Sequence, residues 1–284
     1  MAVATSRAFD KSTFDISHYK LAAVDLDGTL LGPDRRISSQ NKEAVMRLKD
    51  AGLEIVIASG RRHEDILRFH KELGLTTPVV SCHGAMVRDV ISDRVLSQAL
   101  IPLDTVRGLI EEAHSLSLSW IAYDQRGVHL SDDPYWLGEY IKRTAFDRPQ
   151  VYKDAESFTG AAIAAEKLNW MGEPEMIMAL FRKLEDKYRR QLTLVVTDPD
   201  HLEFTAAGAD KAFGLARLGE VLGIRADQIM TFGDSNNDAP MLAWAGLGVA
   251  MTHGTAMARE AADFVSPPGE EHDSLARAID YLLS

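Results

Sequence analysis

A doubly wound α/β fold with an inserted α+β domain is what three features of this 284-residue chain predict. The apolar run Leu21-Ala22-Ala23-Val24 shows no alternation, so it reads as a parallel strand buried on both faces. Strand and helix patterns alternate at both ends of the chain, as the crossovers of a parallel sheet require. Across the middle the alternation lapses and short hairpin links replace it.

Taken in order, the Leu21 to Val24 strand leads to an amphipathic stretch from about Ser39 to Lys49, closed by Gly52, and then to Glu54-Ile55-Val56-Ile57-Ala58. A helix around His63 to Leu73 precedes Gly74 and the strand Pro78 to Ser81, completing a β-α-β-α-β pattern. Met86 to Ile91 and Val95 to Leu100 flank Ser92-Asp93-Arg94 as a hairpin, and so short a link means antiparallel pairing. There follow a helix from Asp104 to Leu116, a hairpin across Ser119 to Leu130, a helix from Pro134 to Thr144, a strand near Leu168 to Met171, a helix from Glu173 to Arg190, and strands Leu192 to Thr197 and Leu202 to Thr205. The α/β alternation then resumes with helix Lys211 to Leu222, strand Ile229 to Phe232, helix Ala239 to Ala245 and strand Leu247 to Met251. A helix near Thr255 to Ala262, a short strand Phe264 to Ser266 and a last helix Ser274 to Leu283 end the chain. The expected division is a loosely ordered extension over 1–18, a discontinuous core of 19–85 and 205–284, and an inserted domain of 86–204.

Bulk properties narrow the function. Hydrophobic residues at 46% and charged residues at 26% are ordinary for a folded globular protein, and no apolar run approaches the roughly 18 residues of a membrane span. The first eighteen residues lack the apolar centre of a secretory signal. The single cysteine, Cys82, excludes an internal disulfide and a cysteine-rich metal site, and suits the cytoplasm. A formal charge of −11 without a dense Lys/Arg block disfavours nucleic acid. An anionic small molecule remains possible if cations are placed locally.

Polar groups gather where the predicted core strands end. Asp25 and Asp27 follow the first strand, Ser59-Gly60-Arg61 the second, and Gly233-Asp234-Ser235-Asn236-Asn237-Asp238 the strand Ile229 to Phe232. Lys211 opens a helix behind Asp210, which reads as its N-cap. In a parallel sheet these ends share one edge, where ligands bind. Clustered carboxylates repel unless a cation joins them, and an all-oxygen donor set favours Mg²⁺. Such an ion with a lysine, a hydroxyl and backbone amides can receive a phosphoryl group, and one carboxylate can attack phosphorus. Taken alone, Asp25-Leu26-Asp27-Gly28 is also compatible with a simple Asx-type turn, the less favoured reading, and Asp238 with a cap on the Ala239-Pro240 helix.

In this order, Asp25-Leu26-Asp27-Gly28-Thr29-Leu30, Ser59-Gly60-Arg61, Lys211 and Gly233 to Asp238 resemble the four motifs of the haloacid dehalogenase superfamily of phosphatases. The position of the insertion and the run Gly248-Val249-Ala250-Met251 are similar to the Cof-type branch with its α/β cap. The resemblance implies a Mg²⁺-dependent phosphomonoesterase for a small soluble metabolite, a sugar phosphate or a phosphorylated cofactor such as pyridoxal phosphate or a flavin precursor. It further implies Asp25 as nucleophile and Asp27 as general acid and base. Mg²⁺ would be held by Asp25, the Asp27 carbonyl and Asp234, with Asp238 orienting metal-bound water or Lys211. Ser59, Gly60, Lys211 and Asn237 would hold the phosphoryl group, while Arg61 would reach the substrate or lock the site against the cap. A phosphomutase of the same superfamily and a noncatalytic phosphate-binding module are the competing readings, the latter disfavoured by the Asp25, Asp27 pair.

The chain departs from the branch in two places. It has His83-Gly84-Ala85 where Asn-Gly-Ala is common, so His83 either contacts substrate or bridges core to cap. After Met251 it has Thr252-His253-Gly254 where Gly-Asn-Ala is frequent. Trp120, Trp136 and Trp170 are expected to pack in a core, and Arg62 and His63 to lie on the surface.

Overall fold

In the computed structural model, residues 9–144, 149–153, 157 and 164–284 are described. The chain forms two compact units: the segment up to Ser97 joins Asp210–Ser284, and Gln98–Ala209 stands as the second. Residues 1–8 of the expected extension lie outside the described part. Residues 9–18 are not loose. Asp10 and Asp15 each accept a backbone hydrogen bond two residues on, winding the short turns Lys11–Thr13 and Ile16–His18. This sets Phe9, Phe14, Ile16 and Tyr19 against the first unit's core, with Phe9 and Phe264 ring centroids 5.0 Å apart.

The first segment builds β1 (Leu21–Val24), α1 (Ser39–Asp50), β2 (Glu54–Ile57), α2 (His63–Glu72), β3 (Val79–Ser81), β4 (Met86–Arg88) and β5 (Val95–Gln98). All four β1 residues are buried, as the unalternating run predicts. Ser38 caps α1 by accepting from Asn41 N, and Gly52 follows its end at φ +93°. β4 pairs antiparallel with β3, Val80 opposite Val87. That pairing explains why the first boundary lies between Ser97 and Gln98 and not at 86. The second lies at 209 and not at 204, because the last strand of the second unit runs on to Ala206 and the Thr205 hydroxyl donates to Ala209 O.

The second unit contains α3 (Leu103–Ser115), β6 (Ser119–Asp124), β7 (Gly127–Ser131), α4 (Pro134–Thr144), β8 (Gln150–Tyr152), β9 (Lys167–Met171), α5 (Pro174–Tyr188), β10 (Leu192–Val196) and β11 (His201–Ala206). Its sheet runs β10-β11-β9-β6-β7-β8, antiparallel except for β7 with β8. Strand β8 is too short and too exposed to show a period in the sequence. Trp120, Leu168, Trp170, Leu202 and Phe204 pack with the apolar faces of α3 and α5. Trp170 keeps its polar handle satisfied by donating from Nε1 to Leu109 O. Trp120 and Trp170 are thus core residues, and Trp136 packs half-buried in a smaller cluster around Ile121 and Leu130. The alternate residues of β9 and β11 put Lys167 and Glu203 on the other sheet face, both buried and 2.8 Å apart.

The chain returns to the first unit with α6 (Lys211–Leu222), β12 (Ile229–Gly233), α7 (Ala239–Trp244), β13 (Leu247–Ala250), α8 (Ala256–Ala261), β14 (Phe264–Val265) and α9 (Ser274–Leu283). The five-stranded sheet runs β14-β13-β12-β1-β2, parallel throughout. One face packs Val24, Ile57 and Phe232 with residues of α1 and α9; the other packs Ala23, Val56 and Ile229 with Leu215, Leu218 and Met241. The sheet is therefore doubly wound. Val24 pairs with both Phe232 and Ile57, so β1, β2 and β12 finish level at one edge. No helix among the described residues is long and apolar enough to cross a membrane.

Candidate active site

The level strand ends bring together residues far apart in sequence. Asp25 follows β1, Asp234 follows β12, and Lys211 opens α6 behind Asp210, which caps the helix by accepting from Phe213 N at 2.8 Å. Lys211 Nζ lies 2.5 Å from Asp25 Oδ1 and 2.5 Å from Asp238 Oδ1. Lys211, Asp25 and Asp238 are only 1%, 3% and 0% exposed. Burial alone would lower the lysine's pKa, but Asp238 and Asp25 outweigh it and keep the ammonium charged.

Charge in this cluster does not balance. Carboxylate oxygens of Asp25, Asp234 and Asp238 all lie within 4.8 Å of one another. Burial, and next the charge of Asp238, push Asp25 well above the usual carboxylate range, against the pull of Lys211. The same two causes push Asp234 up to about 7, while the hydrogen bond from the Thr29 hydroxyl at 3.0 Å opposes them. Three acids facing one ammonium leave surplus negative charge when all are ionised, and their all-oxygen donor set fits a hard divalent cation. Asp238 does not cap α7 with its side chain. Its Oδ2 instead accepts from the backbone N–H groups of Asp234 and Ser235, both at 3.0 Å, winding the loop on itself.

Asp27, two residues from Asp25, is in the opposite environment. Its carboxylate is exposed and gripped from both oxygens by Arg61, Nε at 2.7 Å and Nη2 at 2.5 Å. Gly28 beside it stands at φ +81°, where a Cβ would meet Asp234 Oδ2 at 2.4 Å.

Ser59, Gly60, His83 and Asn237 form a third group. Ser59 Oγ accepts from Arg61 N at 3.2 Å. The His83 ring covers Gly60, where a Cβ would fall 2.2 Å from it, and His83 Nδ1 is 3.2 Å from Asn237 Nδ2. Cys82 and His83 both adopt left-handed φ, +49° and +56°, a costly choice for residues with side chains. Cys82 N–H donating to Arg61 O and His83 N–H donating to Ser59 O hold them there.

Arg62 and His63 correct the expectation of a surface position: they are 6% and 4% exposed, with Arg62 Nε 3.1 Å from Glu64 Oε2. The start of α2 folds them inward, and burial lowers the His63 pKa. Thr29, which donates to Asp234, was legible only as the residue continuing Asp27-Gly28. His253, whose Nε2 lies 2.8 Å from Gly28 O, had its signal in the departure after Met251.

Residues 22–279 match the family model described as haloacid dehalogenase-like hydrolase. The chain belongs to this family. Over 277 residues it is 30% identical to the 5-amino-6-(5-phospho-D-ribitylamino)uracil phosphatase YitU of Bacillus subtilis (strain 168), covering 93% of this chain and 97% of that protein. It is 29% identical over 238 residues to the HMP-PP phosphatase of Serratia proteamaculans (strain 568), covering 82% of this chain and 84% of the relative. A solved haloacid dehalogenase-like hydrolase from Bacteroides thetaiotaomicron superposes with a TM-score of 0.78 at 27% identity, covering 93% of this chain and 99% of that one. This haloacid dehalogenase-like hydrolase is accordingly an enzyme of the superfamily's phosphatase kind.

Proposed function

We propose that this phosphatase hydrolyses the monoester of a small phosphorylated metabolite through an aspartyl-phosphate on Asp25, with Asp27 moving the protons. The observation that carries the reading is the contrast between two carboxylates two residues apart, one buried against Lys211 and the other exposed under Arg61. One acid is shielded for attack and the other is accessible for proton exchange.

Lys211 engages Asp25 Oδ1, which supports Oδ2 as the oxygen that attacks phosphorus. As the new bond forms, the bond from phosphorus to the leaving oxygen breaks, and that oxygen takes its electron pair and a proton from Asp27. Asp27, now a carboxylate hydrogen-bonded by Arg61, takes a proton from water. The water oxygen bonds to phosphorus, the bond to Asp25 breaks, and phosphate leaves with the Asp25 carboxylate restored. Ser59, Lys211 and Asn237 donate to the phosphoryl oxygens and fix its orientation. Asp25, Asp234 and Asp238, with the Asp27 carbonyl, would hold Mg²⁺, which when bound neutralises phosphoryl charge.

One full-length relative is named for 5-amino-6-(5-phospho-D-ribitylamino)uracil and another for HMP-PP, which supports a small phosphorylated metabolite as substrate. The one cysteine, buried and free, suits the cytoplasm as the place of work. The test is acid-quenched turnover of a ³²P-labelled substrate identified from a metabolite panel. Covalent label is expected on Asp25 and absent in Asp25→Asn; full turnover by Asp25→Asn overturns the reading.

A further inference from the structure

The segment carrying Asp27 is held on its far side by Thr29 N–H and Leu31 N–H, which donate to Leu26 O at 3.3 and 2.8 Å. The Thr29 hydroxyl ties it to Asp234, and Arg61 grips the Asp27 carboxylate. The peptide after Gly28 is held on its N–H side by the long 3.3 Å bond from Thr29, and Gly28 has no side chain to limit its rotation. Its carbonyl oxygen is 2.8 Å from His253 Nε2. A carbonyl only accepts, so Nε2 carries the proton.

His253 stands on a loop built to stay still. Gly254 N–H donates to Met251 O at 2.9 Å and Thr255 N–H to Asp234 O at 2.7 Å. A Cβ on Gly254 would fall 2.5 Å from Asp234 O, so the loop packs directly on the backbone of that acid. The imidazole therefore braces the Asp27 turn from the loop that follows β13.

We propose that His253 is a positioning residue for Asp27, fixing through the Gly28 carbonyl the peptide that sets the reach of the proton-transferring carboxylate. The inference rests on the role proposed above for Asp27. Proton transfer needs a heavy-atom approach of about 2.6–3.2 Å, so a turn released from its brace loses proton delivery first. Attack by Asp25 depends on Lys211, whereas the His253 side chain bonds to the Gly28 carbonyl. The loss therefore grows with the leaving oxygen's need for a proton.

The experiment compares His253→Leu, which keeps bulk without a donor, with His253→Gln, whose side-chain amide reaches about as far as imidazole Nε2. His253→Leu is expected to lower kcat roughly 10-fold on an alkyl phosphate and less than about threefold on p-nitrophenyl phosphate, a fraction of a general acid's full effect. KM should change little, and His253→Gln should restore most of the alkyl phosphate rate. Equal losses on the two substrates, or a Gln variant as impaired as Leu, overturn the proposal. Asp27→Asn is measured in the same series. If it shows no preference for the nitrophenyl leaving group, the proton-transfer role of Asp27 fails, and the brace is then decided by the imidazole tautomer. A long-range ¹H–¹⁵N spectrum showing His253 protonated at Nε2 in wild type, with the Gly28 and Thr29 amide resonances displaced in His253→Leu and returned in His253→Gln, supports it. An Nδ1-protonated ring, or unmoved resonances, overturns it.

Discussion

Two buried lysines in this protein look alike and do different work. Lys167, in the second unit, meets Glu203 at 2.8 Å, and the Thr197 hydroxyl occupies the other Glu203 oxygen at 2.5 Å. Lys211, in the first unit, meets two carboxylates and has a third within the same cluster. The Lys167 pair sets one positive charge against one negative charge. The Lys211 cluster carries surplus negative charge whenever its three acids are ionised, and that surplus is costly unless a proton or a ligand answers it. Buried charge alone therefore says little about function; its imbalance says a great deal.

The strongest way to break this contrast is to remove the carboxylate proposed as the nucleophile. Asp25→Asn is expected to reduce phosphate release by a factor on the order of 10³ or more, measured at saturating substrate. Substantial residual activity would mean that the overloaded cluster is not the reacting one. Chelation comes next. EDTA should depress turnover by roughly a thousandfold, several kcal/mol of lost charge stabilisation, and added Mg²⁺ should restore it; indifference to both would show that the surplus charge needs no metal.

The balanced pair is tested by stability. Lys167→Met or Glu203→Gln alone should cost about 3–5 kcal/mol in denaturant unfolding, because each leaves a buried group uncompensated. The double replacement Lys167→Met/Glu203→Leu should cost less than either single change. Near-additive losses would show that the two groups act separately.

The smallest effect is a pH dependence. Asp234 is pushed up to about 7 from an ordinary 3.8 by burial and the charge of Asp238. The folded protein then keeps a proton that the unfolded chain releases near pH 4, so the metal-free protein loses stability as pH rises from about 4 to 7. Mg²⁺ should accordingly raise Tm more at pH 8 than at pH 5. An equal gain at both would argue that Asp234 is not part of the cation site.

How much of this was legible in the sequence depends on the range over which each feature is decided. Asp25, Asp234 and Lys211 stand directly after a strand or at a helix start, so local pattern and the rule for parallel sheets suffice to bring them to one edge. The burial of Arg62 and His63 is set by how the start of α2 packs, which neighbouring residues do not encode. β4 looked like the start of the insertion because its hairpin is antiparallel, yet its partner is β3 of the core. Over 9–18, the spacing of Phe14 and Tyr19 behind Asp10 and Asp15 acquires meaning only with the core surface they cover.

The pairing of β1 with β12 also sets a timetable for synthesis. Leu21 hydrogen-bonds beside Ile229, and Asp25 waits for both Lys211 and Asp238. The second unit, by contrast, finds all its sheet partners between Gln98 and Ala209. As the chain leaves the ribosome, long-range pairing lags behind local pairing. Asp25, proposed as the nucleophile, is thus made well before Lys211 and Asp238 complete its surroundings, and a chain cut short before Ile229 holds β1 against β2 without β12 on its other side.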